Sequence, residues 1–161
     1  MIRKAVRGDL PALKELYAYA RAYMKASGNP NQWGDHNPPM ETLERDIEIG
    51  QLYVIDHDGI RGAFALIFGE DPTYGYIEGE WTQNGPYATI HRIAGDGSGG
   101  VFTRAVAFAM ERTQVLRMDT HADNATMHHL LKKHGFVPCG TIYLLNGSPR
   151  IAYEKIKSEG E

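Results

Sequence analysis

Thr89-Ile90-His91-Arg92-Ile93-Ala94-Gly95-Asp96-Gly97-Ser98-Gly99-Gly100-Val101-Phe102 is the stretch on which the fold turns. Its first half reads as the end of a strand over 87–94. Its second half opens a helix over 100–112, with Val101, Phe102, Ala105, Val106, Phe108 and Ala109 at helical spacing. Glycines crowd the junction. They let successive backbone N–H groups point into one concavity, and the helix dipole adds about half a positive charge at that end. The loop Gly95-Asp96-Gly97-Ser98-Gly99-Gly100 is therefore a candidate anion site that a pyrophosphate fits. A flexible turn with no ligand is the competing reading, since short glycine patterns are weak evidence. Within the strand, Ile90 and Ile93 cannot share a face of a regular ladder, which predicts one extra residue at a bulge.

Working outward toward the N-terminus, Gly69 to Pro86 reads as an irregular excursion rich in Gly, Asp, Pro and Tyr. Before it, Gln51 to Asp56 and Ile60 to Phe68 read as an antiparallel pair around an Asp58-Gly59 turn. Met40 to Gly50 reads as a short helix, and Asn31 to Pro39, carrying Trp33, as a loop of the kind that borders binding sites. Leu10, Leu13, Leu16, Tyr17, Ala20 and Met24 form the apolar stripe of a first helix, with Asp9 as its expected N-cap and Pro11 in its first turn. Ile2 to Val6 reads as a first strand.

Toward the C-terminus, Val115 to Thr120 reads as a strand, completing a strand, helix, strand unit. Asn124 then caps a helix through His134. Gly135 falls where a left-handed residue ends it, with Phe136 placed to contact Leu131 in a Schellman motif. Phe136 to Leu145 and Arg150 to Ile156 are two last strands joined by Asn146-Gly147-Ser148-Pro149.

Composition restricts the partners. The 161 residues suit one domain, 1–161, and 42% hydrophobic with 23% charged residues is ordinary globular composition. A net charge of −3 with no basic run speaks against nucleic acid. No apolar stretch approaches the roughly 20 residues of a membrane span, and Met1-Ile2-Arg3-Lys4 enters a strand rather than a signal segment, so a cytoplasmic protein is expected. The lone Cys139 has no basic neighbour that would activate it and reads as a small strand residue. His121, His128, His129 and His134 lack metal-ligand spacing, so no metal is expected.

Gly95, Gly97 and Gly100 also satisfy G-x-G-x-x-G, and Asp119 lies downstream where a dinucleotide site would contact ribose. The context differs, because hairpin-like strands precede the loop and only some forty residues follow Asp119.

The order of elements, the run His91-Arg92-Ile93-Ala94 into the glycine loop, and Asn124 followed by Leu130-Leu131-Lys132-Lys133-His134-Gly135-Phe136 together resemble the GNAT family of acetyl-CoA-dependent N-acetyltransferases. The resemblance spans nearly the whole chain. It implies a mixed α/β (α+β) fold, with a mostly antiparallel sheet of six to seven strands flanked by about four helices. The implied cofactor is acetyl-CoA as co-substrate: main-chain groups near Ile93 and Ala94 pair with pantetheine, and Gly97, Ser98, Gly99, Gly100 and Val101 bind the pyrophosphate. Asn124 would either touch the pantetheine or only fix the helix start. The loop departs from the family pattern in having no Arg or Gln, and Leu131 stands where many members carry a proton-donating tyrosine.

The resemblance implies direct transfer of acetyl, or another short acyl group, to a primary amine of a small molecule or peptide. His91 is the candidate base, competing with a purely structural role, and Tyr143 the candidate acid. Glu78 and Glu80 would attract a cationic amine or relay its proton, with Trp33 and Asp35 completing an acidic, aromatic pocket. A non-catalytic acyl-CoA-binding module and a nicotinamide reductase are the alternatives. Acceptor identity does not follow from the sequence, nor does oligomeric state, for which a homodimer is one option.

Overall fold

Two faces of one sheet are apolar, and that dictates the layers. In Ile60–Phe68, Phe64 and Leu66 point one way while Ala63 and Ala65 point the other, and all four are buried. Such a strand is stable only with helices on both sides. The structure, a computed structural model, describes residues 1–158 and shows this arrangement.

The strands are β1 (Ile2–Lys4), β2 (Leu52–Asp56), β3 (Ile60–Phe68), β4 (Glu78–Gly79), β5 (Ala88–Gly95), β6 (Val115–Thr120), β7 (Val137–Tyr143) and β8 (Pro149–Ile156). They form one sheet in the order β1-β2-β3-β5-β6-β8-β7-β4, antiparallel except where β5 meets β6. The helices are α1 (Leu10–Ala26), α2 (Met40–Glu48), α3 (Val101–Met110) and α4 (Ala125–Lys133). The faces of α1 and α2 carrying Leu13, Leu16, Tyr17, Ala20 and Leu43 cover one side of the sheet, and α3 and α4 cover the other with Phe102, Val106 and Leu131. Each fully buried Leu or Phe there contributes roughly 1.5–3 kcal/mol of transfer free energy.

The strand-helix order expected from sequence is present, with an eighth, two-residue strand in addition. It arises inside the excursion, where Glu78 and Gly79 pair with Thr141 and Gly140. A Cβ on Gly79 would stand 2.2 Å from the Cys139 carbonyl, and one on Gly140 2.1 Å from that of Glu78. Only a glycine pair lets these backbones meet. The excursion is therefore not merely surface: Tyr74 and Tyr87 are buried in a third apolar cluster, against which Trp81 packs.

Asp9 departs from its expected role. Its side chain accepts from Val6 N at 2.8 Å and pairs with Arg3, and a single 3-10 turn, Arg7–Asp9, leads into α1 without a side-chain cap. Asn124 does cap α4, accepting from Met127 N at 3.0 Å. At the other end Phe136 N donates to the Leu131 carbonyl and Gly135 N to that of Lys132, the two bonds of a Schellman motif, with Gly135 at φ 84°. Among the described residues, no helix is long and apolar enough to cross a membrane.

Candidate active site

The cleft begins with the bulge. Ala65 pairs with His91 and Ala63 with Ala94, so two steps along β3 face three along β5. Arg92 takes up the extra residue in a left-handed conformation, φ 54°. Ile90 and Ile93 thereby pack on the same core cluster, as their spacing predicts. A left-handed residue with a side chain costs on the order of 1–3 kcal/mol and persists only where its surroundings hold it. Here Tyr17 Oη donates to the Arg92 carbonyl at 2.6 Å, and the guanidinium bonds both oxygens of Asp46 at 2.8 and 3.0 Å. The Asp46 side chain is 3% exposed. Asp46→Asn, which weakens this clamp without removing volume, is expected to lower the free energy of unfolding in urea by about 2 kcal/mol.

Past the bulge β5 leaves its neighbour. It pairs with β6 only at Ala88 and Thr89, and the two strands then diverge. A cleft of about 510 Å³ follows β5 from Ile93 to the N-terminus of α3 and is walled by α1 and α4. Of the expected cofactor residues, Ile93, Ala94, Gly97, Gly99, Gly100, Val101 and Asn124 lie in its wall. Asn124 is thus both helix cap and wall residue. Among the described residues, Ser98, His91, Glu78 and Tyr143 are not part of it.

Gly97, Gly99 and Gly100 have φ of 87°, 91° and 79°, the backbone region a nest of N–H groups requires. Val101 seats the helix start on the sheet: a Cβ on Gly62 would come within 2.7 Å of its Cγ1. The Ser98 amide and hydroxyl both donate to one oxygen of Asp96, at 2.9 and 2.5 Å, and the other oxygen is 3.4 Å from Arg61 Nη1. The bond from Ser98 keeps Asp96 below the usual carboxylate range. A cation does stand near the nest, since Arg104 Nε comes within 3.9 Å of where a Gly100 Cβ would sit. Sequence reading missed it because Arg104 lies one helical turn beyond the loop. It also missed Tyr19 and Tyr23, four apart on α1, which line the cleft; Tyr23 Oη bridges to Thr126 Oγ1 at 3.0 Å.

The candidate proton-transfer residues separate into two places. His91 stays on β5, where its Nε2 lies 2.7 Å from Asp71 Oδ2 and its ring 6.1 Å from that of Tyr74. Glu78 and Tyr143 sit at the opposite end of the strand order, on β4 and β7, and bond each other, which raises the phenol's pKa. Asp35 pairs with Lys25, and Trp33 packs on Tyr17 at 5.7 Å between centroids, so the expected acidic, aromatic pocket is dispersed over separate contacts. Leu131 is fully buried in the core. His128 bonds Tyr153 Oη at 2.6 Å and His134 bonds Thr103 Oγ1 at 2.8 Å. Asp119 accepts from the Tyr74 hydroxyl at 2.6 Å. Burial pushes the Cys139 thiol up, away from reactivity.

Depressed carboxylates predict acid lability. Burial alone would raise Asp71, but bonds from His91 and Thr73 outweigh it and bring its pKa to about 2. Burial likewise acts upward on Glu154, and Thr82, Arg117 and Gln83 overcome it; Asp9 is lowered chiefly by Arg3. A group depressed on folding supplies stability that is complete above its unfolded pKa and lost as pH falls through the folded one. Urea unfolding between pH 5 and pH 2 should therefore show a steep loss, about 2 kcal/mol of it from Asp71. A flat profile would refute this.

Fold and cleft together define a class: a mixed α/β protein with an anion nest at the mouth of a split sheet. Comparison with solved structures narrows it. A GNAT-family acetyltransferase from Streptococcus agalactiae superimposes with TM-score 0.87 at 31% identity, over 99% of this chain and 96% of that one. A candidate acetyltransferase from Staphylococcus aureus gives 0.69 at 25%, over 97% and 98%. The fold, though little of the sequence, is shared with yncA of Salmonella typhimurium, a candidate acetyltransferase whose structure holds acetyl-CoA (TM-score 0.63, 14% identity, 99% and 94% covered). No protein-family profile matches the sequence, and no curated protein does. The chain belongs to the GNAT family of acetyltransferases.

Proposed function

We propose that the chain, acting as one domain over 1–161, transfers acetyl from acetyl-CoA directly to a primary amine of a small molecule or peptide. The observation that carries this reading is the continuous cleft from the bulged strand past Ile93 and Ala94 to the glycine nest. Its two ends suit a flexible arm and a pyrophosphate. Edge amides of β5 freed by the split from β6 would pair with the arm, and the amides of Gly97, Gly99, Gly100 and Val101, with Arg104 nearby, would take the phosphates, the Ser98 amide being bonded to Asp96. Bound acetyl-CoA supplies the activated acyl group, and no metal enters the scheme.

Proton removal from the acceptor falls to His91, on the same strand two residues before Ile93, rather than to Glu78, which with the candidate acid Tyr143 lies at the far end of the strand order. The buried Leu131 favours one second reading, an acyl-CoA-binding module without turnover. Calorimetric titration with CoA and thiol release from acetyl-CoA against polyamines, aminoglycosides, amino acids and peptide N-termini separate the two. Amine-dependent release is the expected result. CoA binding without release by any amine would support the module, and binding of NAD(H) instead of CoA would overturn both.

A further inference from the structure

We infer that Asp71 is the positioning residue of His91: its carboxylate holds the imidazole with the proton on Nε2 and leaves the Nδ1 lone pair to receive the acceptor's proton. This rests on the acetyl-transfer reading above.

The geometry leaves Asp71 little freedom. Its Oδ1 accepts from Thr73 N at 2.8 Å and Thr73 Oγ1 at 2.6 Å, and its Oδ2 faces His91 Nε2 at 2.7 Å. Its backbone N donates to Tyr87 Oη at 2.7 Å, and it caps the 3-10 turn Pro72–Tyr74. Tyr74 forms a wall beside the imidazole and is itself pinned by its bond to Asp119 on β6. Excursion, β5 and β6 thus converge on one ring.

An ionised carboxylate only accepts. Asp71 remains ionised throughout the neutral range, so Nε2 must carry the hydrogen it receives. Among the described residues, Nδ1 has no hydrogen-bond partner. The His91 side chain is 24% exposed, reachable by a substrate, whereas that of Asp71 is 17% exposed.

In the reaction, the acceptor ammonium gives one proton to Nδ1, and the resulting imidazolium faces Asp71. The freed nitrogen lone pair attacks the thioester carbon. The N–C bond forms, the C–S pair leaves with sulfur, and the thiolate takes the second amine proton to depart as thiol. His91 then passes its proton to solvent.

Asp71→Asn tests this. Thr73 N–H requires an acceptor, so the new amide turns its oxygen to Thr73 and its NH2 to His91, forcing the Nδ1–H tautomer. In the full chain labelled with 15N-histidine, wild type at pH 8 should show His91 as Nε2–H and Asp71→Asn should show it as Nδ1–H. kcat should fall about 100-fold with KM for acetyl-CoA unchanged. In a His91→Gln background the same substitution should cause no further loss. A wild-type Nδ1–H tautomer, or an Asp71→Asn protein with full kcat, would overturn the inference. Failures are distinguishable, because the tautomer is read without substrate. A protein that switches tautomer but releases thiol with no amine retains the positioning and loses acetyl transfer. One that turns over normally as Asp71→Asn retains acetyl transfer and loses the positioning.

Discussion

Arg117→Ala is expected to lower the free energy of unfolding by about 3–5 kcal/mol, the cost of leaving a buried charge without its partner. Arg117 and Glu154 face each other across β6 and β8, with Nε 2.6 Å from Oε2 and side chains 6% and 0% exposed. The guanidinium lies between Trp81 and Tyr87, 3.9 Å from each ring centre, and donates to the Gln83 carbonyl at 3.0 Å. Thr82 and Gln83 complete the shell around Glu154. Truncation therefore strands a carboxylate and also releases the excursion that carries Asp71. Urea unfolding at constant m checks it. Replacing both partners, as Arg117→Met with Glu154→Leu, should recover most of the loss, since a matched apolar pair leaves no charge to desolvate. A loss below about 1 kcal/mol for the single change would place the pair in the class of solvated surface contacts.

Gly97→Ala should raise the dissociation constant for CoA at least about tenfold, equivalent to about 1.4 kcal/mol. The added Cβ would stand 2.6 Å from Tyr19 Oη, and φ 87° is strained for alanine. Relief requires the loop to move, which turns N–H groups out of the nest, or Tyr19 to swing away from the cleft wall. Gly99→Ala is the control: its φ of 91° carries the same backbone cost, but open space surrounds its Cβ. Calorimetry on both separates strain from collision. Equal effects would mean that Tyr19 gives way freely and that backbone strain alone accounts for the loss.

Much of this architecture was legible beforehand. The bulge followed from two isoleucines three apart, the end of α4 from Gly135 and Phe136, and its start from Asn124. The helix and strand boundaries shifted by a residue or two. Asp9 fits a cap by its place before Pro11, yet Arg3 on β1 and the Val6 amide take both its oxygens. The excursion has the composition of irregular surface, because its order depends on groups it meets only after the sheet has formed.

The sequence by itself determined what neighbours within about a helical turn decide: periodicity, caps, the Asp58-Gly59 turn, the glycine nest and, through their order, the split sheet. Such features depend on local φ/ψ preferences and on which face is apolar. Tertiary structure alone decided the partners of the charged groups. Asp71 meets His91 across 20 positions, Arg117 meets Glu154 across 37 and Arg92 meets Asp46 across 46. No local pattern encodes these meetings, because an exposed and a buried carboxylate are the same letter until the chain closes over one of them.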